Sequence, residues 1–111
     1  MTDVTPLQAH LVNFVMILSM GAMILDNLSP KNRIHKMQAL ALATSDEIKK
    51  RVETGDESEL MAMIIVSRKH LKQVRALVLQ HPIPTQAAKA RTEWLTNTKA
   101  LLRQTEGIGN D

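Results

Sequence analysis

Leu7, Leu11, Phe14, Leu18, Gly21, Leu25 and Leu28 recur at alternating intervals of four and three. That spacing keeps apolar side chains on one face of an α-helix and suits packing in a bundle. Ile34, Met37, Ala41, Thr44, Ile48 and Val52 form a narrower stripe. A third comprises Leu60, Met63, Ile64, Leu71, Val74, Leu77 and Val78, and a fourth Ala87, Trp94, Leu95, Thr98, Leu101 and Leu102. Four amphipathic helices are predicted, each with one side to bury.

The residues between the stripes mark where these helices begin and end. Thr5 before Pro6, and Ser29 before Pro30, each pair a capping side chain with the proline that a first helical turn tolerates. Asp56 follows Gly55 and stands three residues before Glu59, the spacing of a capping box. His81-Pro82-Ile83-Pro84 cannot continue a helix, so the fourth begins near Pro84 and Thr85, and Gly107 supplies a final stop. The predicted helices span about 6–28, 30–54, 57–80 and 85–105. Such short connections force successive helices to fold back, giving an all-α, up-down-up-down four-helix bundle in which residues 1–111 form a single helical domain.

The first helix carries more apolar surface than one seam requires. At 100° per residue Met16, Met20 and Met23, with Ile17 and Ile24 beside them, fall away from the leucine stripe and leave Gln8, Ser19 and Asp26 as a thin polar line. Met61 and Ile65 are likewise set opposite the core stripe of the third helix. Surplus apolar surface of this kind marks protein interfaces, and the unbranched thioether of methionine adapts to irregular partners. The expectation is a protein interface built from Met16, Ile17, Met20, Met23, Ile24, Met61 and Ile65, with the bundle assembled as a homodimer or bound to another protein.

A membrane span is the competing account of the same helix. The run from Phe14 to Leu25, interrupted by Ser19 alone, is 12 residues long, short of the ~20 that cross a bilayer. Extending it to Leu7 admits Gln8, His10 and Asn13, and Lys31, Arg33 and Lys36 beyond it would hold the carboxyl end inside. A single-span, holin-like membrane protein is therefore a lesser alternative, because the other three stripes already imply a soluble bundle.

Composition then narrows the chemistry. There is no cysteine among the 111 residues, which removes disulfides, thiolate metal sites and thiol nucleophiles and suits a reducing, cytoplasmic setting. Asp3 stands where a secretory signal would carry a basic residue. The histidines, His10, His35, His70 and His81, form no HExxH and no pair three apart, so no metal site is expected. His10 and His70 read as packing residues and His81 as part of the proline-flanked turn. Glu53, Asp56 and Glu59 straddle Gly55 and read as first-turn acids that stabilise a helix start. No phosphate loop or nucleophile elbow is present, so no cofactor, catalytic residue or enzymatic activity is expected.

Charge is mildly positive, 14 Lys and Arg against 11 Asp and Glu. Arg68, Lys69, Lys72 and Arg75 form a basic stripe on the third helix, and Lys49, Lys50 and Arg51 close the second. A solvated face is the ordinary account, and contact with nucleic-acid phosphates the functional alternative, without a recognition-helix motif to support it. Arg91, set among the apolar positions of the fourth helix, is expected to reach solvent past Trp94 rather than to pair with Asp26. Together these features predict a non-enzymatic interaction module of the adaptor, small-chaperone or inhibitor kind, with a regulatory nucleic-acid-associated protein as the runner-up.

Overall fold

The computed structural model describes residues 4–28 and 32–108. Four α-helices account for nearly all of them: α1 (Val4–Asp26), α2 (Asn32–Arg51), α3 (Glu57–Gln80) and α4 (Ala88–Gln104), the last entered through a 3₁₀ turn at Thr85–Ala87. No strand occurs among the described residues.

Helix ends follow local chemistry. Helix α1 already includes Val4 and Thr5, because Pro6 then falls within the first turn, where no intrahelical donor is needed. The expected start at Ser29 and Pro30 lies outside the described residues. Helix α2 ends at Arg51 rather than near 54, and the chain turns there with the Gly55 N–H donating to the Arg51 carbonyl at 2.8 Å. The Asp56 carboxylate accepts from the Glu59 N–H at 2.8 Å, which places the start of α3 where the capping spacing put it.

At the other end of α3, His81 is extended (φ −114°, ψ 136°), as the residue before a proline is pressed to be. Two carbonyls left open by the end of α3 find side chains. His81 Nδ1 donates to Leu77 O at 2.9 Å, and the Arg91 guanidinium donates to Val78 O at 3.2 Å. Arg91 thus closes the α3 terminus instead of reaching outward or pairing with Asp26. After α4, Gly107 adopts φ +85°, a left-handed conformation that suits glycine and ends the helical path.

Hydrogen bonds between helices establish their directions. Gln8 Nε2 donates to Val52 O (2.9 Å) and Gln38 Nε2 to Ala22 O (3.3 Å), so α1 and α2 run antiparallel. Arg68 reaches Leu102 and Thr105 while Arg91 reaches Val78, so α3 and α4 also run antiparallel. Helix α1 packs against all three others, whereas α2 and α4 do not meet. The bundle is therefore a central α1–α3 pair flanked by α2 on one side and α4 on the other.

The core lies along the α1–α3 seam, with Leu7, Leu11, Phe14, Leu18 and Leu25 of α1 and Leu60, Ile64, Leu71, Val74 and Val78 of α3 all buried. Trp94 seals it from the α4 side. Its indole N–H donates to the Ile17 carbonyl at 2.8 Å, and its ring lies over Gly21, where a Cβ would come within 2.8 Å of Trp94 Cζ2 and 3.0 Å of Val74 Cγ1. Gly21 is what lets α4 approach α1 this closely.

Candidate interaction surfaces

With α3 behind it and α2 and α4 on either side, α1 keeps one outer face. Val12, Met16, Met20 and Met23 stand on it, the three methionines 57%, 43% and 69% exposed. The exposed positions of α1 from Thr5 to Met23 are Thr5, Pro6, Ala9, Val12, Asn13, Met16, Met20 and Met23, and none is charged. Gln8 and Ser19, which the sequence placed in a polar line, turn toward α2: Gln8 holds the α2 carboxyl end, and Ser19 Oγ lies 3.4 Å from Ser45 Oγ.

The structure divides the seven residues expected to form one interface. Ile17 belongs to the core at 8% exposure, because its side of α1 faces α4, where its own carbonyl receives the Trp94 indole. Ile24 is half-buried and packs against the core. Met61 and Ile65 are half-buried on α3, Met61 packed against the edge of the core. Met16, Met20 and Met23 are thus exposed on α1, whereas Met61 and Ile65 stand half-buried on the neighbouring α3.

Two clefts border these faces. Asn13, Met16 and Ile17 of α1 and Asn97, Ala100, Leu101 and Gln104 of α4 line one of about 270 Å³. The other, about 300 Å³, runs between α2 and α3 and is lined by Ala43, Thr44, Glu47, Ile48, Ala62, Met63, Val66 and Ser67. Its one carboxylate, Glu47, lies 2.8 Å from Arg51 Nε in an exposed ion pair. Close to Ser67, the Thr44 hydroxyl donates to Leu40 O (2.8 Å) and so must accept from His70 Nδ1 (2.7 Å), which assigns the neutral ring its Nδ1–H tautomer. Burial, with the Lys69 charge adding to it, lowers the His70 pKa below its ordinary 6.5. No group of three His, Asp or Glu among the described residues could hold a metal ion, and Asp56 spends its carboxylate on the α3 cap.

The basic stripe is also divided. Arg68 is 5% exposed, and its guanidinium donates to Leu102 O and, at 2.6 Å, to Thr105 Oγ1. It ties the end of α4 to the middle of α3 and presents no cation to solvent. The warning was present in the sequence, since Arg68 is four residues after Ile64 and three before Leu71, on the apolar seam itself. Arg75 is half-buried with its Nε lacking a hydrogen-bond partner, while Lys69 and Lys72 are exposed.

The fold and its surfaces thus define an all-α helical bundle whose most apolar helix is centrally packed on one side and uncovered on the other. Helix α1 is long and apolar enough to cross a membrane, with 39% of its most apolar window buried inside the bundle. Comparison with known proteins adds no relative: no family model matches the chain, and neither a curated protein nor a solved structure resembles it.

Proposed function

We propose that the protein is a non-enzymatic helical interaction module that pairs through the outer face of α1, with a second copy of the chain as its partner. The observation that carries this is the uncharged face from Thr5 to Met23 on an otherwise charged molecule, with Met16, Met20 and Met23 exposed along its second half. Water is displaced from such a face without stripping hydration from any ion, so its burial is favourable.

A second copy fits because the face is self-complementary. Helix α1 is 23 residues long, which is about 35 Å. A strip of that length and roughly 20 Å width, taking in the flanks of α2 and α4, approaches the ~800 Å² per partner of a stable interface. Two α1 helices crossing about a twofold axis would interdigitate their methionines, and Asn13 and Asn27 would supply polar contacts at the rim.

Light scattering after size exclusion tests the proposal, comparing wild type with a Met16→Gln, Met20→Gln, Met23→Gln variant. A wild-type dimer and a folded, monomeric variant are expected, since the changed side chains are exposed. A monomeric wild type would overturn it. So would a wild type found on phospholipid vesicles rather than in solution, which would turn the same face toward a bilayer.

A further inference from the structure

Sulfur chemistry in this chain belongs to methionine. There are seven methionines and no cysteine, and the two aromatic side chains, Phe14 and Trp94, are completely buried. Among the described residues the methionines fall into two sets. Met37, Met61 and Met63 are half-buried and pack against the core, whereas Met16, Met20 and Met23 are exposed. The exposed three follow one another at intervals of four and three, so they occupy successive turns on one face of α1.

We infer that Met16, Met20 and Met23 form a reversible oxidation site through which hydrogen peroxide controls the pairing of α1, an inference that rests on the self-pairing proposed above. A thioether lone pair attacks one peroxide oxygen, and the S–O bond forms as the O–O bond breaks. The departing hydroxide takes the proton left on the transferred oxygen and becomes water. Sulfur is thereby oxidised by two electrons to the sulfoxide and peroxide is reduced by two. Sulfoxide reductases reverse the change, with two thiols becoming a disulfide and the oxygen leaving as water.

Position in the fold sets both the selectivity and the effect. Exposure admits peroxide to the three α1 methionines, and packing against the core slows it at Met37, Met61 and Met63. In the free chain the new S=O groups stand in water, so the fold keeps its packing. In the pair each becomes an acceptor on a face whose exposed polar side chains are Thr5 and Asn13 alone. Burying an unmatched acceptor weakens pairing on the order of tenfold for each sulfoxide. Pairing in turn covers the sulfurs, so peroxide acts on the free chain and a chain oxidised while free stays free.

Hydrogen peroxide treatment followed by peptide mass mapping and light scattering tests the inference. Met16, Met20 and Met23 should each gain one oxygen roughly fivefold or more faster than Met37, Met61 and Met63, and more slowly as protein concentration rises. The dimer should become a monomer with an unchanged helical circular-dichroism spectrum. Sulfoxide reductases of both stereospecificities with dithiothreitol should restore it. A Met16→Leu, Met20→Leu, Met23→Leu variant, close in volume and without sulfur, should pair and remain paired under peroxide. A wild type that is monomeric before treatment would remove the self-pairing and this control together. A dimer that persists with all three sulfoxides formed would overturn the control alone. Equal oxidation of all six methionines, loss of helix on oxidation, failure of the reductases to restore the dimer, or a leucine variant that dissociates as wild type does would each overturn it as well.

Discussion

The indole N–H of Trp94 donates to the main-chain carbonyl of Ile17 at 2.8 Å, joining residues 77 apart in the chain. The ring that makes this bond also fills the space above Gly21. Gly21→Ala should therefore destabilise the fold, because neither the indole nor Val74 can withdraw from the new Cβ without repacking. Overpacking costs ~1–3 kcal/mol, and the better helix propensity of alanine returns up to ~1, leaving a net loss of up to about 2 kcal/mol. A lower urea midpoint with unchanged slope would show it, and an unchanged midpoint would mean the helices separate freely at this point.

Arg68 and Lys69 are adjacent in sequence and opposite in environment. Arg68→Ala removes the donor shared by Leu102 O and Thr105 Oγ1, with an expected loss of ~2–4 kcal/mol. Lys69→Ala should stay within about 0.5 kcal/mol. Equal effects in chemical denaturation would contradict the placement of Arg68 inside the α3–α4 seam.

Asp56 is the cap of α3. Asp56→Ala should cost about 1 kcal/mol, and Asp56→Ser, which keeps an acceptor for the Glu59 N–H, should recover most of it. Amide exchange at the first turn of α3 offers a local readout, expected to speed up in the alanine variant alone.

Stability should depend on pH through His70. Its folded pKa lies below the ordinary 6.5, chiefly through burial and secondarily through Lys69. The unfolded chain therefore takes up the proton first as pH falls. The contribution of neutral His70 is complete above about pH 6.5 and declines as pH drops through the lowered folded value. Urea midpoints for wild type and His70→Gln should converge or cross on acidification from pH 8, with wild type losing more. A difference that stays constant across that range would show that the ring titrates alike in both states.

Much of the architecture was legible because it rests on neighbours in sequence. The heptad-like stripes, the Asp56 cap, the proline break before α4 and the glycine stop all act within one or two helical turns, and the helices stand within a few residues of where these signals put them. The four stripes also supplied nearly every core residue, from Leu7 to Leu101.

Which side of each helix meets a neighbour is a different matter. Met16 and Ile17 are consecutive and equally apolar, yet one is exposed and the other sealed beneath α4. Arg68 was grouped by charge with Lys69 and Lys72, but its seam position drew it inward to the open end of α4. Met61 and Ile65 share their chemistry with the α1 methionines yet are half-buried, Met61 against the core. Periodicity fixes the angle of a side chain about its own helix axis, whereas burial depends on where the other axes stand around it. Those positions are settled by packing between helices distant in sequence, such as Trp94 closing on Gly21, and no single helix carries them.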